Sequence, residues 1–549
     1  MAYTTPTGNR YGNSKKYFHK RYGSHAFPEH PEFSAYCYDY WKCDIVLNGS
    51  SEDMKDANFI LALTGQEALS YAQYVDRAVF LNAASRARDG FMGAVFAKAP
   101  IIQYDRNGGN SISDAKANDT IQEGMRYIDR YIDGNSMTFI RSVFKEVLDL
   151  GRCGILVDRP LEGTPASENV PYLLCYPASS IINWNFVSKG RNNYKLNFVV
   201  ICLEKTRMRI DGCDSVREYT ILELDDEGYY KKTVKEEYFD KNTSQDKGII
   251  DGLKDKFSSK TDKLRTISEV YPTQNGQKMT EIPFFFINVH DLSPKISKPP
   301  LLDVVDMNIA HFRNSADMER GLHFTALPTP WIAGFNVDTD FTIGSEKAWV
   351  TDAVDAKAGF LEFQGQGLDA LGNALEKKEL LMAMLSSKLL ETQRGKESSE
   401  TQKIRRLGED SILANIALNV ELGLNKAFHF AGEWDGDKNA SKNFSIVLNK
   451  QYTVTVVKSD VVATMLNAVM KGFISMETWL SYLRSQDLLS THVSDKKESD
   501  AIVKGLEMLK KVKNVVDPVQ PKGGNPTNKN NPGNPIKSAS NTGVDNGDE

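Results

Sequence analysis

The chain has 549 residues, of which 41% are apolar and 25% charged, and a formal net charge of −5. That length is more than one simple core can fill, and that apolar fraction excludes a disordered scaffold. A tight duplex-DNA clamp is also disfavoured, because each phosphate contact needs a Lys or Arg and the chain has no basic excess.

Residues 1–50 are rich in Tyr, His, Gly and Ser with little periodicity, which predicts an extended arm. From about Ala57 to Phe96 the pattern is helical, with Tyr71, Tyr74, Val75, Ala78, Val79 and Asn82 at three- and four-residue intervals. A second helical stretch is predicted from about Ile121 to Leu150. After Gly151 the period shortens: GILVD, YLLCY, NFVVICLE and EYTILELD are separated by Pro, Gly, Asn and Asp clusters, predicting an α/β block with a meander of strands. Residues 239–280 turn polar and lysine-rich and read as a surface insertion with at most one short amphipathic helix. IPFFFINV then has the unbroken apolar pattern of a buried strand.

The segment from Lys298 to Trp331, KPPLLDVVDMNIAHFRNSADMERGLHFTALPTPW, predicts one long helix over 299–321, about 20 residues or roughly 30 Å. Pro299 and Pro300 can open it, because the first N–H groups of a helix have no intrahelical acceptor. Leu301, Val305, Ile309, Phe312 and Ala316 share one stripe, Gly321 stands where a C-cap belongs, and Pro328 and Pro330 prevent resumption. The pattern alone equally describes an ordinary core helix.

Residues 322–366 read as short strands, WIAG, AWVTD and GFLEF, too little chain to bury their own core well, so they should lean on other copies. Trp331, Phe335, Phe341 and Trp349 there either anchor an interface or fill a local core. A second helix over 367–393 carries Leu371, Leu375, Leu380, Met384 and Leu385, and RGKESSETQKIRR over 394–406 interrupts it. Ile412, Ile416, Val420, Leu424 and Phe428 then repeat every four residues, predicting a long one-faced helix ending near Gly432. FSIVL and YTVTVV are expected to complete the earlier sheet. Ser459 and Ser475 can each cap a further helix. From about Asp517 onward almost nothing can be buried, which predicts disorder.

Recognisable catalytic chemistry is missing. There is no GxxxxGK[ST], HExxH, GxSxG or CxxC, and Gly365 and Gly367 form a lone GxG that suits a turn. His311 beside the apolar stripe reads as packed or inter-subunit, and Asp225 and Asp226 as solvated turn acids. Six scattered cysteines imply no disulfide framework. His25, His30, Cys37 and Cys43 could make a zinc site, although the close Cys pair is lacking; the other reading is polar residues of the arm. No catalytic residue, metal or cofactor is therefore expected. The longest apolar runs are strand-length, and the N-terminus lacks a signal-peptide core, so synthesis in the cytoplasm without membrane insertion is expected.

The 298–331 segment closely resembles a stem-helix signature of portal proteins, the head-to-tail connectors of tailed bacteriophages. YAQYVDRAVFLNAASRARDGFMGAVF from Tyr71, LGRCGILVDRP from Leu150, PYLLCYPASSIINWN from Pro171 and the ETQ at Glu391 resemble the same family in the same order. The resemblance spans about His30 to Leu488. It implies an α+β portal fold: an N-terminal arm over 1–50, a wing over 51–298, a stem helix over 299–321 and a small α/β clip over 322–366. A second stem helix over 367–393, a channel loop over 394–406, a long helix and wing return over 407–457, a helical crown over 458–514 and a disordered tail over 515–549 follow.

The function so implied is a ring, in this family a dodecamer, at one capsid vertex of the virion, through which double-stranded DNA is packaged and ejected. The implied partners are other copies of the chain, the major capsid protein, the terminase large subunit, a tail adaptor and DNA bound without sequence specificity. Arg394, Lys396, Lys403, Arg405 and Arg406 become candidate phosphate-facing residues of the channel loop, with Glu397, Glu400, Glu409 and Asp410 keeping the attraction shallow. The same charges could instead pair among themselves. Two alternatives stand beside this reading. One is another virion structural protein, an adaptor or minor head protein, which would lack paired stem helices flanking a small strand domain. The other is an enzyme with an unrecognised site, which predicts a concave pocket with clustered perturbed acids.

Overall fold

The alternation of apolar runs and breaks resolves into an α+β arrangement in a computed structural model of the chain. The structure describes residues 25–104, 124–160, 169–188, 194–209, 212–237, 264–326, 329–334, 354–361, 365, 367–390, 412–437, 440, 444–450, 452, 459–485 and 501–505. It divides into two units, Met1–Val454 and Thr455–Glu549.

In the first unit, helices α1 (Pro31–Asn48), α2 (Ser51–Asp56), α3 (Ala68–Arg77) and α4 (Ala83–Val95) lead to strand β1 (Ile101–Tyr104) and helix α5 (Ser136–Leu150). Strands β2 (Arg152–Asp158), β3 (Tyr172–Pro177), β4 (Ile181–Ser188), β5 (Tyr194–Arg209), β6 (Gly212–Leu224), β7 (Tyr230–Glu237) and β8 (Leu264–Val270) follow. A short hairpin, β9 (Thr273–Gln274) and β10 (Gln277–Lys278), precedes β11 (Phe284–Asn288). Then come α6 (Leu302–Ala326), β12 (Thr329–Ala333), β13 (Lys357–Leu361), α7 (Leu368–Leu390), α8 (Ile412–Trp434) and β14 (Phe444–Val447).

Strands β4 to β8 make an antiparallel meander in sequence order, and β11, β2 and β3 make a three-stranded sheet with β2 in the centre. Every residue of β2 is buried, which explains its lack of alternation. Gly151 sets it up: α5 ends there at φ 77°, and a Cβ would stand 2.9 Å from the Ser297 carbonyl oxygen. The four-residue repeat of α8 is buried from its second member on, with Ile416, Val420, Leu424 and Phe428 at 0% exposure, while Ile412 at the start of the helix is exposed. In the second unit, α9 (Ser459–Met470) and α10 (Met476–Ser485) pack on each other, and Ser475 Oγ caps α10 by accepting from Thr478 N at 3.1 Å.

Several expectations are corrected. The arm expected over 1–50 contains helix α1, whose Tyr40, Cys43, Val46 and Leu47 are buried in the core. Tyr and Trp obscured its period, because a helix buried on more than one side shows little amphipathic contrast. The helical stretch from Ala57 to Phe96 is two separate helices, α3 and α4, with non-helical chain before and between them. Strand β8 lies inside the expected 239–280 insertion and pairs with β7. FSIVL does not complete the large sheet: among the described residues β14 pairs with β1 alone, Phe444 opposite Tyr104. YTVTVV beyond Tyr452, and the tail, lie outside the described residues.

The four residues weighed as a zinc set serve separate contacts. His25 Nδ1 is 2.8 Å from Glu29 Oε1, and His30 caps α1 by accepting from Glu32 N at 3.2 Å. The His30 ring also stacks on Trp184 at 4.0 Å, while Cys43 is fully buried. Among the described residues no group of three potential metal ligands forms.

Helices α1, α4 and α5 meet at Arg88. Its Nη1 donates to the Leu47 carbonyl at 3.0 Å and to Asn48 Oδ1 at 2.8 Å, closing the C-terminal end of α1. Asp149 on α5 accepts from Lys145 at 3.1 Å and stands 3.5 Å from the same guanidinium. Burial pushes the carboxyl of Asp149 up, and that of Glu146, one turn earlier, up to about 7. Asp44 and Asp149 add to the shift at Glu146, and Lys145 and Arg88 oppose it. A raised acid favours folding while both states are protonated, and this advantage is lost as the unfolded chain alone ionises. Stability should therefore fall as pH rises from about 4, the ordinary glutamate value, to about 7. Glu146→Gln is expected to flatten that slope and to raise the urea midpoint at pH 8; chemical denaturation from pH 4 to 8 measures both.

Candidate functional site

Helix α6 begins after Pro299 and Pro300, with Leu302 N donating to the Pro299 carbonyl at 3.1 Å. The stripe of Leu301, Val305, Ile309, Phe312 and Ala316 is buried as predicted, with Leu301 just before the helix, and Leu302 is buried as well. Polar residues on other faces of this helix, of which Asn308 and Ser315 are buried, bond groups of the chain around α3 and at the start of α4. Asn308 Oδ1 accepts from Ala84 N at 3.0 Å, and its Nδ2 donates to the Leu81 carbonyl at 2.8 Å. Ser315 Oγ accepts from Val79 N at 3.0 Å, and Arg313 Nε donates to the Phe59 carbonyl at 2.7 Å. Tyr74 OH donates to Asp317 Oδ1 at 2.5 Å. This hydrogen bond and burial raise the phenol pKa above its ordinary value.

After Ala316 the helix has no buried residue, yet it runs on to Ala326. Gly321 is not its cap. The helix passes through it, and the missing side chain admits α7: a Cβ at Gly321 would lie 2.5 Å from Leu368 Cδ2. Further along, Gly372 meets Met318, and His311 Nε2 lies 3.2 Å from Glu379 Oε1. Lys378 Nζ donates to the Ala310 carbonyl at 3.0 Å, and burial lowers its pKa. Residue numbers fall on α6 as they rise on α7, so the two helices form an antiparallel pair. His311, weighed as a packed or inter-subunit residue, is buried between them within one chain.

Where it meets solvent the pair mixes charged residues, among them Asp303, Arg313, Glu376 and Lys377, with exposed apolar ones. Among the described side chains of α7 only Met382 is buried, while Leu380 is 62% and Met384 50% exposed. At the far end, β12 and β13 form a two-stranded ribbon, Trp331 opposite Gly359. Trp331 packs on Gly359, as a Cβ there would meet its Nε1 at 3.0 Å, but the residue is still 44% exposed. Leu361 is 69% exposed, and Leu322, Phe324, Ile332 and Phe360 are exposed as well. An isolated two-stranded ribbon is marginal in water, so this surface is one that a partner would complete. Phe335, Phe341 and Trp349, and all of Arg394, Lys396, Lys403, Arg405 and Arg406, lie outside the described residues.

A cavity of ≈ 510 Å³ opens where β4, β5, β11 and α8 meet, floored by Phe186, Phe284, Phe285 and Phe286 and edged by Lys195, Glu281 and Lys426. The acids raised by burial, Glu146 and Asp149, are not in its lining. The clustered perturbed acids that the enzyme reading predicts are thus not found there.

A family model for a domain of unknown function (DUF4055) matches residues 300–435, from the start of α6 to the end of α8 and less than half of the chain. No curated protein matches. Among solved structures, the chain is similar to one in "Neck of empty GTA particle computed with C6 symmetry", with 9% identity, a TM-score of 0.33 and coverage of 82% of this chain and 94% of that one. It is also similar to a chain in "Virion of native gene transfer agent (GTA) particle", with 11% identity, a TM-score of 0.30 and coverage of 77% and 94%. Likenesses this faint leave fold and role to be argued from the chain's own residues.

Removing the carboxamide of Asn308 orphans a buried N–H and a buried carbonyl together. Asn308→Ala should lower stability by about 2–4 kcal/mol, read as a shift in the urea midpoint.

Proposed function

We propose that this chain is a non-catalytic, ring-forming virion protein, the portal of a tailed phage. The observation that carries the reading is the antiparallel pair of α6 and α7, rooted in the core at one end, with Leu380 and Met384 exposed on α7 and a cluster of exposed apolar side chains at its tip. The sequence resemblance set out above supports the same reading, with the pair as stem and the β12–β13 ribbon as part of the clip. A row of such pairs, each turned by the same rotation, buries these faces without leaving a free edge. The row then walls a passage.

In this reading the ribbon offers its aromatics first to the packaging terminase and then to a tail adaptor, and the wing faces the capsid shell. Arg394, Lys396, Lys403, Arg405 and Arg406 would face the phosphates of passing DNA. A net charge of −5 is compatible with an attraction shallow enough for sliding.

Size-exclusion chromatography with light scattering and negative-stain images test the proposal. The expected result is a closed ring of many copies with an axial hole; a monomer or small oligomer in every condition overturns it. For the loop, replacing residues 394–406 with Gly and Ser in rings that still assemble should shorten or destabilise the packaged genome. Unchanged packaging and retention would remove the loop's assigned role.

A further inference from the structure

Beside α6 stands a second apolar feature that the fold of one chain does not use. The loop between α2 and α3, together with the start of α3, holds Leu61, Leu63 and Leu69 out to solvent, Leu69 at 72% exposure. This knob is firmly built. Leu63 N donates to Gln66 Oε1 at 2.9 Å, and Gln66 N returns a bond to the Leu63 carbonyl at 3.0 Å. Tyr71 OH reaches both Asn58 Oδ1 at 2.7 Å and the Ile60 carbonyl at 2.8 Å. Asn58 itself sits at φ 57°, a left-handed conformation that the surrounding bonds hold. A segment so ordered, yet presenting three leucines to water, is shaped for a partner.

Where the knob sits along α6 narrows the choice of partner. Arg313 bonds the Phe59 carbonyl and Asp317 bonds Tyr74, so the knob is level with residues 313–317. On another flank of the same helix, Ala310 and His311 face Lys378 and Glu379 of α7. The exposed Leu380 therefore stands within about two helical turns of the knob's level, since each residue rises about 1.5 Å. Two different surfaces at similar heights on two flanks of one helix are what a heterologous contact needs if rotation about an axis along the helix is to repeat it. One pair of opposite charges is also available, although Lys377 has the exposed Glu376 beside it. Glu67, the N-cap residue of α3, is exposed and makes no side-chain cap bond, and the exposed Lys377 precedes Leu380 by one turn.

We infer that the Leu61–Leu63–Leu69 knob of one copy docks on the outward face of α7 of the next copy, over Leu380 and Met384, with Glu67 against Lys377. This rests on the ring reading above and adds which two faces meet.

The test uses the full chain carrying Leu69→Cys and Leu380→Cys together, oxidised after assembly, with each single variant as control. The expected product is a ladder of covalent multimers on a non-reducing gel, present in the double variant alone. Rings without that ladder overturn the contact and leave the ring reading intact. Failure of the unaltered protein to form any ring overturns the reading beneath it. Leu69→Glu supplies a second measurement, because Leu69 is already exposed in the single chain and its thermal unfolding should not change. The concentration for half-assembly should rise about tenfold or more, as loss of one buried leucine implies; an unchanged value overturns the inference.

Discussion

The carboxamide of Asn308 is the fixed point on which the rest of the first unit hangs. It is fully buried, and its two ends hold the Leu81 carbonyl and the Ala84 amide, backbone groups at the irregular joint between α3 and α4. Buried main-chain groups without partners are costly, so a joint of this kind can enter a core only where a side chain answers it. Ser315 and Arg313 do the same for Val79 and Phe59. One helix thus answers backbone groups that the segments before and after α3 leave without sheet or helix partners.

That arrangement accounts for the unusual composition of α6. Its buried half mixes Leu, Val, Ile and Phe with Asn, His and Ser, because it packs against apolar helices on some faces and caps loose backbone on others. Its outer half bonds no loose backbone: Asp317 and Arg320 hold Tyr74, and Gly321 leaves room for α7 by the absence of a side chain. The pair is therefore anchored firmly at one end and unfinished at the other. An unfinished apolar surface on a rigid support is the physical requirement for assembly, since little entropy remains to be lost when a second copy arrives.

The N-terminal helix is tied in by a different device. Arg152, at the start of β2, is fully buried and lies 4.2 Å over the ring of Trp184, on which His30 also stacks. Its guanidinium donates to the Pro294 carbonyl, and burial lowers its pKa to about 10. Residues far apart in the chain, from the cap of α1, β2, β4 and the loop before α6, are thereby joined around one cation and one indole. None of these four carried a periodic signal.

The sequence by itself determined the elements whose burial is one-sided or uniform: the stripes of α6 and α8, the apolar run of β11 and the alternation of β5 and β6. In these, side-chain spacing follows directly from helix or strand geometry. The residue types also disclosed that a second helix follows a small strand region. What only the tertiary structure decided was pairing and exposure. Whether Phe444 joins the large sheet or β1, whether Gly321 ends a helix or admits another, and whether Leu380 and Leu69 face a core or water depend on neighbours distant in the chain. An apolar residue carries the same signature in sequence whether its partner is its own core or another molecule, and only the packed fold separates the two.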